Sequence, residues 1–307
     1  MIANFFNKTK PITTLSLIVL LGIYYISAVF IKDSESLSVI LLIKKLGFFL
    51  WLIPLLLIFN FIIQKNKLSS DNSYALLLVV LLLGTFYESF LSNFIVFSNI
   101  ALLLSYRKIY SLRSGINTKM KLFDAAFWIG ISTLIYSWSI LYLLLIYIGL
   151  LIYEKVSVKN LLIPIVGFVT PIVIFFTYHL YFESLHIFYS SFNFDSRINF
   201  RSYYSLQFMI PILFLGVILG WSILTVTPRI VLISNNLKLS WNVILNHLLI
   251  SIVIVGFSPI KNGSELFYLV FPTVIIITNF IQKSKSSFFK NLILYLFLLI
   301  SISVYFL

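Results

Sequence analysis

The chain has no cysteine, and only 9 acidic residues, 3 histidines and 11 glycines in 307 residues. Without cysteine there is no disulfide, no thiolate nucleophile and no cysteine–zinc site. His179, His186 and His247 are too few for a four-histidine iron centre within one chain, and none lies in an HExxH or HxxxH pair. Charge is also scarce, at 10% of residues, against 61% hydrophobic residues and a mean hydropathy of +1.06. Soluble domains hold about 25% charged residues, so a soluble core cannot absorb this composition. No hydrophilic stretch is long enough for an attached globular domain.

Apolar runs recur instead, many of them near the roughly 20 residues that cross about 30 Å of hydrocarbon. They predict a single all-α polytopic bundle with spans near 12–31, 39–63, 73–91, 93–106, 122–138, 139–153, 160–183, 206–226, 241–257, 265–282 and 291–307. Two of these, 93–106 and 139–153, are short, at roughly 22 Å of helix, and fit tilted hairpins, re-entrant segments or helices that do not face lipid. Lys8 and Lys10 precede the first run in a signal-like layout. That run is long for a signal peptide and Ile26-Ser27-Ala28 is a poor cleavage site, so an uncleaved first span is expected.

If the spans alternate, the 22 Lys+Arg sort into 16 on the starting side and 6 on the other, and the 9 acids into 3 and 6. The starting side then carries the whole net charge of +13. Lysine and arginine in short loops stay in the cytoplasm, so the expectation is a bacterial inner-membrane protein with a cytoplasmic N-terminus and a periplasmic C-terminus. Arg107, Lys108, Arg113, Lys119 and Lys121 form the densest basic cluster, which retention and attraction to anionic lipid explain. Nothing resembles a nucleic-acid-binding fold.

Candidate polar chemistry gathers on the balanced, outer side. Asp33 and Glu35 lie in the first outer loop, Ile31-Lys32-Asp33-Ser34-Glu35-Ser36. They read either as a solvated turn or as a general base, with Asp33 nearer the span. Glu88, in Thr85-Phe86-Tyr87-Glu88-Ser89, is an ionisable group inside a span, which marks a wet cavity or an ion pair with Lys44 or Lys45. His179, Glu183 and His186 follow i, i+4, i+7 spacing and share a face if their helix continues. That stripe suits a phosphate, a proton relay or the aromatic membrane interface, and is not a recognised metal motif.

The longest outer connection, 184–205, is rich in aromatics and carries Arg197 and Arg201. Paired guanidinium groups can grip a diphosphate; the same segment also reads as an amphipathic interfacial helix. Lys261 and Glu265 flank Asn262-Gly263-Ser264, either a cation facing phosphate with its counter-ion or a simple turn. One GxxxG, Gly216–Gly220, predicts close packing of its span against a neighbour. Pro164 and Pro171, with Gly167 between them, predict a kink in the seventh span.

The stretch 107–152, with Leu122-Phe123-Asp124-Ala125-Ala126-Phe127-Trp128-Ile129-Gly130 and Leu134-Ile135-Tyr136, resembles a family of multi-pass membrane proteins of Bacteroidota that has no assigned activity. The layout is also similar to that of C-type glycosyltransferases, which use polyprenyl-phosphate sugars. That similarity implies Asp33 or Glu35 as the first-loop acid and Arg197, Arg201 or Lys261 as the cation facing phosphate. The chain departs from it in having no soluble outer domain and a short first loop whose acids are not adjacent. Three function classes follow: a transferase acting on a polyprenyl-phosphate-linked glycan with no cofactor, a lipid flippase or transporter, and a non-catalytic subunit of an envelope complex. Membrane lipids are partners in all three.

Overall fold

A computed structural model describes residues 2–32, 39–196, 199–233 and 235–307. Their regular structure is all helical, with no strand among them. In chain order the helices are α1 (Ile2–Phe5), α2 (Pro11–Lys32), α3 (Val39–Asn66), α4 (Tyr74–Thr85), α5 (Glu88–Leu91), α6 (Asn93–Ser111) and α7 (Thr118–Ile135). They continue as α8 (Leu143–Ile152), α9 (Val158–Tyr181), α10 (Leu185–Ser190), α11 (Leu206–Ile233), α12 (Asn235–Phe257), α13 (Phe267–Lys283) and α14 (Ser287–Ser303). Short 3-10 turns lie at Leu112–Ser114, Ser137–Tyr142, Arg201–Tyr204 and Ser264–Leu266.

The starts follow local chemistry. Pro11 opens α2, where a missing N–H costs nothing. Ser157 caps α9 by accepting from the Asn160 N–H at 3.2 Å, and Ser286 caps α14 by accepting from the Phe289 N–H at 3.3 Å. Gly115 (φ 70°) and Asn117 (φ 50°) take left-handed backbone between α6 and α7. Inside helices, hydroxyls return to the carbonyl four residues back: Thr85 to Leu81 and Thr133 to Ile129 at 2.8 Å, Ser222 to Ile218 at 2.6 Å. Each of these three hydroxyls is thereby paired among apolar neighbours.

Among the described residues, six stretches are long and apolar enough to cross a membrane: Pro11–Phe30, Ile43–Asn66, Val158–Tyr181, Leu206–Leu232, Leu237–Phe257 and Ser264–Lys283. Their outward faces are hydrocarbon. On α2, Ile12, Leu15, Val19, Ile23, Ile26 and Phe30 are exposed at steps of three and four, while Leu17, Leu21, Tyr24 and Ala28 are buried. Apolar surface of that extent is not left in water. This is a membrane protein. A helix occupies each of the predicted spans, but the connection expected over 227–240 is not a loop: α11 runs through Pro228 to Ile233 and α12 begins at Asn235. In apolar surroundings the backbone has no better partner than its own turn, so helix persists past the end of the apolar run.

The chain forms two compact units, 1–93 with 199–234 and 260–307, and 94–198 with 235–259. At the centre of the first lies α4, all twelve of whose residues are buried. Around it pack α2, α3, α13 and α14, and α11 packs on α13. Tyr24 of α2 lies flat over Gly84 of α4, so close that a Cβ there would meet its ring at 2.8 Å. The first residues also dock in this unit: the Ala3 N–H donates to Asn291 Oδ1 at 3.0 Å, and Tyr74 donates to the Ala3 carbonyl at 2.8 Å.

The second unit is built on α7 crossing α9. Gly130 faces Phe168 and Pro171, and Gly167 faces Phe123 and Ala126, with backbone against backbone. The expected tight packing at Gly216–Gly220 is therefore displaced to a different helix pair. Nothing lies within 4 Å of where a Cβ would stand at Gly216 or Gly220.

Candidate functional site

In the first unit the polar groups gather around a break in the chain. α4 ends at Thr85 and Phe86 leaves helical geometry (φ −102°, ψ 57°), so that α5 restarts at Glu88 as a single turn. One side of α5 borders a cleft of about 240 Å³ lined by Tyr25, Val29, Lys44, Lys45, Phe48, Phe90, Leu91 and Asn93. Tyr25 is the pivot of its wall. Its hydroxyl donates to the Lys45 carbonyl at 2.8 Å, and its ring meets Phe49 at 5.4 Å and Phe90 edge-on at 5.9 Å. Lys44 is exposed and Lys45 half-buried. The lining thus joins aromatic faces to two ammonium groups.

α5 also packs on the turn Ser264–Leu266. There Glu265 is fully buried and held by two donors, the Tyr203 hydroxyl at Oε1 and the Gly263 N–H at Oε2, the latter at 3.0 Å. Gly263 is left-handed (φ 94°), and a Cβ there would meet Phe208 at 2.4 Å, so both conformation and space require glycine. Lys261 places its Nζ 5.0 Å from the centroid of the Phe200 ring, a cation–π contact. Burial pushes the Lys261 ammonium down, and the Glu265 carboxylate opposes that shift. Gln207 donates to the Tyr87 hydroxyl, adding a further polar tie between α11 and the residue before α5.

Of the residues predicted from sequence, Glu88, Arg201 and Lys261 belong to this unit. Glu88 is half-buried at the start of α5; Arg201 is exposed at the start of the turn Arg201–Tyr204. Asp33, Glu35 and Arg197 lie outside the described residues.

His179, Glu183 and His186 belong to the second unit and do not form a helical stripe. α9 stops at Tyr181, Glu183 takes left-handed backbone (φ 51°), and α10 starts afresh at Leu185. The i, i+4, i+7 face is lost at that reversal. His179 is buried, its Nδ1 2.7 Å from Ser184 Oγ and its ring 4.3 Å from that of Phe175. Glu183 and His186 are exposed. Among the described residues of 184–205, helix is confined to α10 and the turn Arg201–Tyr204. Among the described residues, no three His, Asp or Glu side chains gather as metal ligands.

Sequence reasoning missed two features. The carboxylate partner Tyr203 sits 62 positions from Glu265, and no local pattern joins them. In the second unit, His247 is enclosed by Tyr106, Tyr110 and Tyr142. Its Nδ1 is 3.0 Å from the Tyr110 hydroxyl, and Tyr142 shares a 3.0 Å hydrogen bond with Ser251 one turn along α12. The i, i+4 pairs Tyr106/Tyr110 and His247/Ser251 were the available signal. Hydrogen-bonded polar side chains of this kind hold helices together where lipid supplies no hydrophobic drive. The sequence matches no protein-family model, and it is similar to no curated protein and to no solved structure at a significant level.

Proposed function

We propose that the protein is a glycosyltransferase-like inner-membrane protein that takes a polyprenyl-phosphate-linked sugar at the periplasmic face. In this reading the chain crosses the membrane eleven times, with its N-terminus in the cytoplasm. The observation that carries it is the cleft beside α5. Lys44 and Lys45 supply positive charge for a lipid phosphate, and Tyr25, Phe48 and Phe90 supply faces for an isoprenoid or a sugar ring. Asp33 and Glu35 lie in sequence between the two helices that contribute Val29, Lys44 and Lys45 to the lining. Glu88 stands two residues before Phe90 on the third wall.

In the proposed reaction Asp33 takes the acceptor hydroxyl proton as the new glycosidic bond forms. The lipid phosphate leaves with the electron pair of the broken bond and is steadied by the lysines. The cation role passes from Arg197, Arg201 and Lys261 to Lys44 and Lys45 because these two share a recess with aromatic walls. Lys261 is engaged with Phe200 and Glu265. A second reading, a lipid flippase, is favoured by one detail: among the described residues, those lining the cleft include no carboxylate.

Binding of a radiolabelled polyprenyl-phosphate sugar to the purified protein tests both. The double variant K44A/K45A is expected to bind at least tenfold more weakly. Transfer predicts that D33N keeps binding but forms no product; flipping predicts lipid movement across vesicles without product from any acceptor. Undiminished binding by K44A/K45A sinks both readings.

A further inference from the structure

The second unit has a cleft of its own. α6 and α7 run as an antiparallel hairpin tied at both ends. Ser98 Oγ and Ser132 Oγ lie 2.7 Å apart near one end, and at the other Lys121 donates to the Ser111 carbonyl and to Ser114 Oγ, each at 2.7 Å. Between the ties the hairpin leaves a recess of about 380 Å³, lined by Leu104, Arg107 and Lys108 of α6 and by Phe123, Asp124, Phe127 and Trp128 of α7. Leu104, Arg107 and Lys108 have i, i+3, i+4 spacing, and so do Asp124, Phe127 and Trp128, so each set shares one helix face. Every lining residue is half-exposed, so the recess is open rather than an internal void.

The chemistry of the lining is divided. Lys108 Nζ meets Asp124 Oδ2 at 2.6 Å. Counting Arg107, Lys108 and Asp124 together, the lining carries one net positive charge, which matches a single phosphodiester. A planar guanidinium presents paired donors suited to phosphate oxygens, while Phe123, Phe127 and Trp128 form a wall that an inorganic ion would not use. An amphiphile uses both. Basic recesses between membrane helices have the composition that lipid headgroups select, and the volume lies in the range of small-ligand sites.

We infer that this recess is a phospholipid headgroup site. Arg107, seconded by Lys108, takes the phosphodiester, and the glycerol and first methylenes lie along Phe123, Phe127 and Trp128. Asp124 sets the strength of the site, because it competes with the phosphate for Lys108.

Native mass spectrometry of the full chain in neutral detergent, titrated with phosphatidylglycerol, phosphatidylcholine or inorganic phosphate, tests the assignment. One tightly held phosphatidylglycerol is expected, with phosphatidylcholine within tenfold because the phosphodiester is shared, and inorganic phosphate failing to compete at equal concentration. R107Q and W128A are expected to weaken lipid binding at least tenfold and threefold respectively. R107K, which keeps the charge but loses the fork, falls between wild type and R107Q and stands in if R107Q does not fold. D124N is expected to tighten binding severalfold. Wild-type lipid occupancy in R107Q and R107K overturns the site. So does a D124N protein that is only less stable, with lipid binding unchanged, since Asp124 then serves the hairpin alone. Displacement by equimolar inorganic phosphate would make the recess an anion site rather than a lipid site.

Discussion

Leucine at Gly130 or Gly167 is expected to abolish the folded protein, whereas alanine at Gly216 or Gly220 leaves it unchanged. At Gly130 the first added carbon would stand 2.5 Å from Pro171 Cγ and 2.7 Å from the Phe168 carbonyl oxygen; at Gly167 it would stand 2.5 Å from the Phe123 carbonyl oxygen. Two of these three obstacles are backbone, and the third is a proline ring held in α9. None can rotate aside. Overfilling a side-chain core costs about 1–3 kcal/mol; forcing two helix backbones apart along their main contact lies at or above that range. Gly216 and Gly220 have open space around them, and alanine is the better helix former by about 1 kcal/mol. Yield of monodisperse protein and Tm in detergent separate the two sets. A folded Gly167→Leu protein would mean that α7 and α9 do not cross there.

The second large effect is expected at Glu265. Alanine there removes the acceptor for the Tyr203 hydroxyl and the Gly263 N–H, and the charge that offsets the desolvation of Lys261. Deleting one member of a buried charged network costs about 3–5 kcal/mol. Glutamine keeps an acceptor and loses the charge, for about 1.5–3 kcal/mol. Tyr203→Phe removes one donor and costs less than either. The order Glu265→Ala, Glu265→Gln, Tyr203→Phe in thermal unfolding is the expected result, with strong coupling between Glu265→Gln and Tyr203→Phe in a double-mutant cycle. A Glu265→Gln protein as stable as wild type would show that the carboxylate carries no weight in this turn.

The contrast between these predictions marks what the sequence could express. Helix positions were legible because each depends on a local property, the length of an apolar run. Helix partners were not. A small residue every fourth position looks the same at Gly216–Gly220, which packs on nothing, as it would at a crossing. The glycines that do meet, Gly130 and Gly167, come from separate helices and form no motif. At the site, Lys261 and Glu265 were visible as a charged pair around a turn, but the Tyr203 donor belongs to a distant segment. The stripe through His179, Glu183 and His186 depended on one torsion, and the left-handed φ at Glu183 is invisible in residue spacing. The lysines of the first cleft were read only as ion-pair partners for Glu88, because their gathering with Tyr25 and Phe90 requires α2, α3 and α5 to be in place.

The burial of α4 sets a problem of timing. Its twelve residues span about 18 Å, too short for roughly 30 Å of hydrocarbon, and none of them faces outward. Two of the helices that enclose it, α13 and α14, leave the ribosome only after α12. At about 5–20 residues per second, α4 waits on the order of ten seconds or more for its permanent neighbours. During that interval its exposed flank is in the keeping of lipid or of the insertion machinery. Stalling translation before Phe267 should therefore leave a chain of residues 1–266 that is inserted but open around α4.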